Sequence, residues 1–487
     1  SEAKALFASG EVAAEVDRGG LDDVFTLWAP QSPRTAFAGI SQVEPGGLVV
    51  WERGAIVERS RWWSADPAEQ PDPGAGLEEL MRDSVALRLR ADVQVGAYLS
   101  GGLDSSLISA LAQVEQRGEL TTFSVAFDDP RYDERSHQET VARAIGTRHH
   151  VLEIGATDIA AALPAVVRHT ETPLVRTAPV PLYLLAADVR DHDLKVVATG
   201  EGADELFWGY DLFKEVAIRD LHRRDPELAL ERMQRLYPHL GSAAQRGPGW
   251  TSFLLGTGDG SDPLGSHMTR VAATESVKLF YGEPMRGALA DRDPLAELRE
   301  RLPPGFASWG ELERAAWLEV STLLEPYLLG PQGDRVSMAH GVEGRYPFLD
   351  HRLYALSVAL PPDEKLAGDR DKVALRRLAD AVLPADIAAR GKQPYRAPEV
   401  TPFFGPGAPE WVADALSPAA LEATGIWDPA RVEGLLRRCR AGRAQGVREG
   451  MALIGVLPTQ LWHDIFVVGE PPYPAETSEP RVRIDRR

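Results

Sequence analysis

The residues best suited to chemistry stand together in Ser100-Gly101-Gly102-Leu103-Asp104-Ser105-Ser106. Adjacent glycines let the backbone come close to a ligand, and Asp104 adds a carboxylate for a phosphate-bound divalent cation. Upstream, Val93, Val95, Ala97 and Leu99 alternate with Gln94, Gly96 and Tyr98, the period of a strand. Downstream, Leu107, Leu111 and Val114 recur at i, i+4 and i+7, the period of an amphipathic helix. The first N–H groups of a helix lack intrahelical partners and carry partial positive charge, so such a turn holds phosphate without a lysine. No Gly-Lys-Ser/Thr follows the glycines, which excludes a Walker A loop. An ordinary tight turn explains Gly-Gly alone, but not Ser100, Asp104 and Ser105 beside it.

Three further stretches could join this loop. Thr199-Gly200-Glu201-Gly202-Ala203-Asp204-Glu205 follows a short apolar run, and acidic residues there are awkward for packing. Alone it reads equally as a capped helix start; beside the first loop, Asp104 and Asp204 can share a divalent cation that bridges phosphate groups. Asp334 to Asp350 sets a few charges in a small, apolar run, which suits either a paired site or a salt-bridge network with no ligand. Arg390-Gly391-Lys392-Gln393-Pro394-Tyr395-Arg396 is a basic loop in an acidic protein. It is either a solvated cluster or the cation that departing pyrophosphate needs.

Strands alternating with helices from Leu77 to Thr199 must position these groups. The pattern gives helices over 77–89, 134–145, 157–168 and 180–189, and strands over 121–127, 148–154 and 195–199. That alternation predicts an α/β fold, a parallel sheet flanked by helices, whose ligands bind at the carboxyl ends of the strands. Beyond Tyr210 the chain reads as mainly helical, with Asp211 to Tyr237, Leu312 to Leu329, Lys372 to Leu383, Arg431 to Arg440 and Arg448 to Val456 clearest. Residues 1–66 read as a short β remnant carrying a hairpin, with Trp62 and Trp63 packed on a neighbour. Residues 67–76 read as a linker, 77–469 as the catalytic domain, 256–265 as a surface loop and 470–487 as a disordered tail.

The chain has 487 residues, 44% of them apolar, enough for two or three domains and a sizeable core. Its 53 Lys and Arg stand against 72 Asp and Glu, a net charge of −19. That balance argues against nucleic acid or an anionic membrane as the main partner. Cys439 is the only cysteine, which excludes an intrachain disulfide and suits a cytoplasmic protein. No uninterrupted apolar run of about 18 residues is present. His149-His150 lacks a third metal ligand and reads as a strand surface pair; His340 reads as a packed side chain.

The first loop resembles the pyrophosphate loop of the ATP pyrophosphatases. Taken with Thr-Gly-Glu-Gly-Ala-Asp-Glu, with Ser337-Met338-Ala339-His340-Gly341-Val342-Glu343-Gly344-Arg345-Tyr346-Pro347-Phe348-Leu349-Asp350 and with Lys392, it is similar to the synthetase domain of class B asparagine synthetases over about Leu77 to Val468. The resemblance implies ATP and Mg²⁺, an aspartate or similar acid adenylated on its side chain, and attack of ammonia to give the amide. It implies that Ser100, Gly101, Gly102, Asp104 and Ser105 hold pyrophosphate, that the backbones of Leu99 and Val125 read adenine, and that Gly200 contacts the nucleotide. Asp204 joins Asp104 on the metal and Lys392 contacts pyrophosphate. Glu201 takes the proton from ammonia; relatives that close a β-lactam ring carry tyrosine there. Glu171, Arg176 and Glu343 are its candidates for the acceptor pocket, Glu343 also counting as catalytic.

Members that use glutamine open with a cysteine nucleophile and a glutaminase domain. Ser1 to Phe7 resembles a stretch late in that domain, and Pro33 to Gly54 its closing segment, while Cys439 reads as a bystander. Either the sequence is a fragment of a longer protein or the chain uses free ammonia, and a homodimer or a separate glutaminase part would both suit it. Two other readings stay open: an adenylating synthetase acting on another acid, and a non-catalytic nucleotide-binding subunit.

Overall fold

Five short runs pair into one parallel sheet. In the computed structural model, which describes residues 2–116, 118–237, 254–255, 261–444 and 446–469, they are β1 (Val95–Tyr98), β2 (Thr121–Phe127), β3 (Arg148–Ile154), β4 (Val196–Ala198) and β5 (Glu343–Arg345). Their spatial order is β3-β2-β1-β4-β5. Ala97 lies opposite both Thr122 and Ala198, and Val196 opposite Glu343. Every residue of β2 and β4 is buried, as expected of strands covered on both faces.

The helices α1 (Leu77–Arg88), α2 (Leu103–Glu115) and α3 (Arg135–Ile145) cover one face. Leu80, Val85, Leu107, Leu111 and Val141 meet Ala97 and Ala198 in one cluster there. On the other face α4 (Ala156–Thr170) and α5 (Pro179–Asp191) bring Leu163, Val167, Val180 and Val189 against Phe123, Val125 and Val197. Strand order reverses between β1 and β4, so the turns into α2 and into α6 (Ala203–Phe207) open side by side at the carboxyl edge.

The first 66 residues are not set apart. Helix Arg18–Leu27 places Leu21, Val24 and Phe25 in the same core as β2. The hairpin is Gly47–Glu52 with Ala55–Arg61, and its second strand is exposed throughout. Trp63 rests on Tyr354 at 5.3 Å, whereas Trp62 is 74% exposed. The stretch 211–237 is two helices rather than one, because Pro226 cannot extend the first and Asp225 caps the second. The stretch 312–329 begins as α-helix and widens into a π-helical segment, Val320–Asp334, around Pro326 and Pro331. Residues 256–260 of the expected 256–265 loop and all of the tail beyond 469 lie outside the described residues.

After α7 (His351–Ala359) and α8 (Val373–Ala379), the chain ends its core with α9 (Val447–His463). Val447–Val468 is the one described stretch long and apolar enough to cross a membrane, with mean hydropathy 1.4 over an 18-residue window, yet 72% of that window is buried inside the protein. Every residue from Gly450 to His463 is buried. Cys439 is buried too, and burial pushes its thiol up to about 11, so it is inert at neutral pH.

Candidate active site

The loop after β1 is built to approach its neighbours closely. Gly101 has φ +74°, and a Cβ there would lie 2.8 Å from the Gln138 nitrogen; one on Gly200 would lie 2.8 Å from the Ser105 nitrogen. Only glycine lets the two turns lie back to back. The hydroxyls of Ser100 and Ser105 are 2.8 Å apart, and Ser105 Oγ accepts from the Ser100 N–H at 3.0 Å. No side chain caps α2, so its first N–H groups remain available to an anion.

Beside this cradle, acids and ammonium groups converge. Lys372 Nζ donates to both oxygens of Asp104 at 2.6 Å and stands 2.6 Å from Asp204 Oδ1. Lys392 Nζ lies 2.5 Å from Asp204 Oδ2 and 4.0 Å from Asp104 Oδ2. Asp104 and Asp204, from two strand ends, thus face one point, and a cation already stands at it. Two hard oxygen donors around one positive charge suit Mg²⁺, provided Lys372 gives way and phosphate oxygens complete the shell. Among the described residues no group of three or more His, Cys, Asp or Glu forms a metal site without such help.

The charges divide the carboxylates by role. Burial would raise Asp204, but Lys372 and Lys392 outweigh it and hold the group down to about 2. Asp104 is raised instead, by burial and by Asp204. Glu201 is pushed up to about 7, chiefly by burial and then by Asp204 and Asp104 against the pull of the lysines. A carboxyl poised near neutrality suits a general base. Glu205, behind the site, is pushed up to about 8 by burial and by Asp204, and accepts from Tyr210 Oη at 2.7 Å.

A cleft of about 400 Å³ opens over this edge. Leu99, Ser100, Asp104, Ser105, Val125, Gly200, Glu201, Asp204 and Lys392 all line it. Gly102 lines a smaller adjoining cavity with Lys372, and the Gly101 carbonyl accepts from Arg390 Nη1 at 2.9 Å. The Val125 carbonyl accepts from Gln138 Nε2 at 2.9 Å, leaving a second lone pair on that oxygen.

Glu343 does not come to the cleft. It starts β5, and in a parallel sheet a strand's first residue lies at the end opposite the bound ligands; its exposed carboxylate pairs with Arg345 at 2.8 Å. Glu171 is also elsewhere: it accepts from the N–H groups of Ala3 and Lys4 at 2.8 Å and from Arg335 at 3.0 Å. Arg176 pairs with Glu399 at 2.7 Å. The charges of 334–350 therefore form the salt-bridge network, with Asp350 held by Arg88 and Arg352. His149 bonds Thr122 Oγ1 at 3.0 Å, and the His340 ring lies 4.3 Å from Tyr183.

Lys372 is the residue sequence reasoning missed. It is 2% exposed and left-handed at φ +50°, just ahead of α8. A lysine at the start of a helix, where the dipole disfavours a cation, was the available signal.

A glycine turn at the switch point of a parallel sheet, with two acids and two lysines beside it, fits the class of α/β ATP-dependent ligases. Residues 76–464 match the asparagine synthase family model. The chain is 30% identical to a putative glutamine-hydrolysing asparagine synthetase of Mycobacterium tuberculosis, over 98% of this chain and 73% of that protein. It is 26% identical to asparagine synthetase 1 of Bacillus subtilis, over 96% of this chain and 72% of that one. A Penicillium rubens protein named as an amidase is 27% identical, over 78% and 61%. The chain belongs to the asparagine synthase family and is a ligase.

Proposed function

We propose that this protein activates a carboxylic acid with ATP-Mg²⁺ and converts it to an amide with ammonia, aspartate being the default acid. A carboxylate oxygen of the acid bonds to the α-phosphorus, the bond to the β-phosphate oxygen breaks, and pyrophosphate leaves. Ammonia then bonds to the acyl carbon and the bond to AMP breaks. The convergence of Asp104 and Asp204 on one cation beside Glu201 carries this reading.

In it the α2 N–H groups, Ser100, Ser105 and Lys392 hold the pyrophosphate, while the backbones of Leu99 and Val125 meet adenine. Asp104 and Asp204 hold Mg²⁺, which supplies charge neutralisation at the phosphates. Glu201 takes the proton that the attacking nitrogen must lose. Lys372, displaced from the carboxylates, is a further phosphate ligand. The stretch before residue 67 is read as the end of a glutaminase-like part, and the work is done in the cytoplasm. A second reading, an acceptor other than aspartate, draws on the absence of Glu343, Glu171 and Arg176 from the cleft and on a relative named as an amidase.

The test is acid-dependent exchange of labelled pyrophosphate into ATP, followed by amide formation with ammonium and with glutamine side by side. Exchange that needs both Mg²⁺ and one particular acid supports the reading. A protein that binds ATP but supports no exchange with any acid is a nucleotide-binding subunit instead.

A further inference from the structure

Three arginines line the cleft, and two of them are committed. Arg131 grips Asp129 at 2.6 Å and Arg390 binds Glu134 and the Gly101 carbonyl, while Arg176, outside the lining, grips Glu399 at 2.7 Å. Arg396 lines the cleft half-buried, its guanidinium 5.7 Å from the centre of the Tyr132 ring, and meets no carboxylate within ion-pair distance among the described residues. Burial and the like charges of Arg176 and Arg131 work against its ionised form, and only partly do Tyr132 and Glu399 offset them. A half-buried cation without a counter-ion is costly unless a ligand supplies the anion.

The same loop touches the reacting end of the cleft. Lys392 is four residues back on Asp204. Tyr395, next to Arg396, has its hydroxyl buried without a hydrogen-bond partner and within electrostatic reach of Glu201. The phosphate tail already has the α2 N-terminus and the lysines, so the unmet donors of Tyr395 and Arg396 belong to the other substrate. A guanidinium lying over an aromatic ring keeps its edge free, the edge that receives a carboxylate with two parallel hydrogen bonds.

We infer that Arg396 is the anion-recognising residue of the acceptor subsite, so that the acid activated here carries a second carboxylate. This rests on the adenylation reading above, and gives Arg396 the role that Arg176, neutralised by Glu399, does not fill.

The experiment compares wild type, R396K and R396A on two pairs of acids: L-aspartate against its α-carboxamide, and succinate against succinamic acid. Binding is read by calorimetry on protein loaded with Mg²⁺ and a non-hydrolysable ATP analogue, and turnover by pyrophosphate exchange. Wild type should favour at least one diacid over its half-amide by roughly 10- to 100-fold. R396A should lose that preference with the KM for ATP unchanged, and R396K should keep part of it. The inference is overturned if wild type shows no preference, if R396A retains it, or if the loss falls on ATP. Diacid binding that depends on Arg396 without any exchange sinks the adenylation reading and leaves the subsite standing. Exchange whose preference ignores R396A does the reverse.

Discussion

On the proposed mechanism Glu201 must be ionised when ammonia attacks, and it sits at about 7. At a fixed concentration of free ammonia, amide formation should therefore climb as pH rises through about 7, where Glu201 becomes the carboxylate that takes the proton. Glu201→Gln should lower amide formation about 10²- to 10⁴-fold and flatten that limb, while pyrophosphate exchange stays within a few-fold of wild type. Equal loss of both steps would show that Glu201 serves activation rather than amidation. Lys372→Ala leaves Asp104 and Asp204 facing one another with Lys392 as their remaining counter-ion. Loss of one partner from such a buried group costs about 3–5 kcal/mol. Thermal melts should show that deficit without metal and a larger stabilisation by Mg²⁺ than in wild type, because the ion enters the place the ammonium left. The acids were legible because Gly-Gly and Gly-x-Gly turns announce them within a few residues. Lys372 was not, since it stands 268 positions from Asp104 and only the fold brings it there.

Among the elements, α7 depends on one side chain. Asp350 caps it by accepting from the Arg352 N–H at 3.0 Å, and its carboxylate also meets Arg88 at 2.7 Å and Arg352 at 2.9 Å. Burial opposes ionisation, but those bonds hold its carboxyl well below the usual range. The stabilisation is therefore complete above its ordinary 3.8 and drains away as pH falls below that value. Asp350→Ala should cost about 3 kcal/mol in denaturant unfolding at pH 7, with the gap to wild type narrowing in acid. A gap that widened in acid would mean Asp350 is not the stabilising anion. The strand bounds of β2 and β3 were readable to the residue, because β2 is a run rich in β-branched and aromatic residues and β3 lies between Gly146 and Gly155. β5 was not: Glu-Gly-Arg is three residues long, carries charge at both ends, and becomes a strand only because β4 offers it an open edge.

The described residues centre on one five-stranded sheet between two helical layers, and the candidate site sits where strand order turns over between β1 and β4. That architecture was visible in the alternation of elements, as was the joining of the Ser100 and Gly200 loops. The sharing of one core by Arg18–Leu27, β2 and α9 was not, because contacts between residues hundreds of positions apart leave no local pattern. The most direct test is a crystal soaked with Mn²⁺ and a non-hydrolysable ATP analogue, mapped by anomalous scattering. A manganese peak between Asp104 and Asp204, touching nucleotide phosphate, with Lys372 moved off the carboxylates, is the result expected. Nucleotide bound with Lys372 still bridging the two aspartates and the manganese elsewhere would contradict the account at its centre.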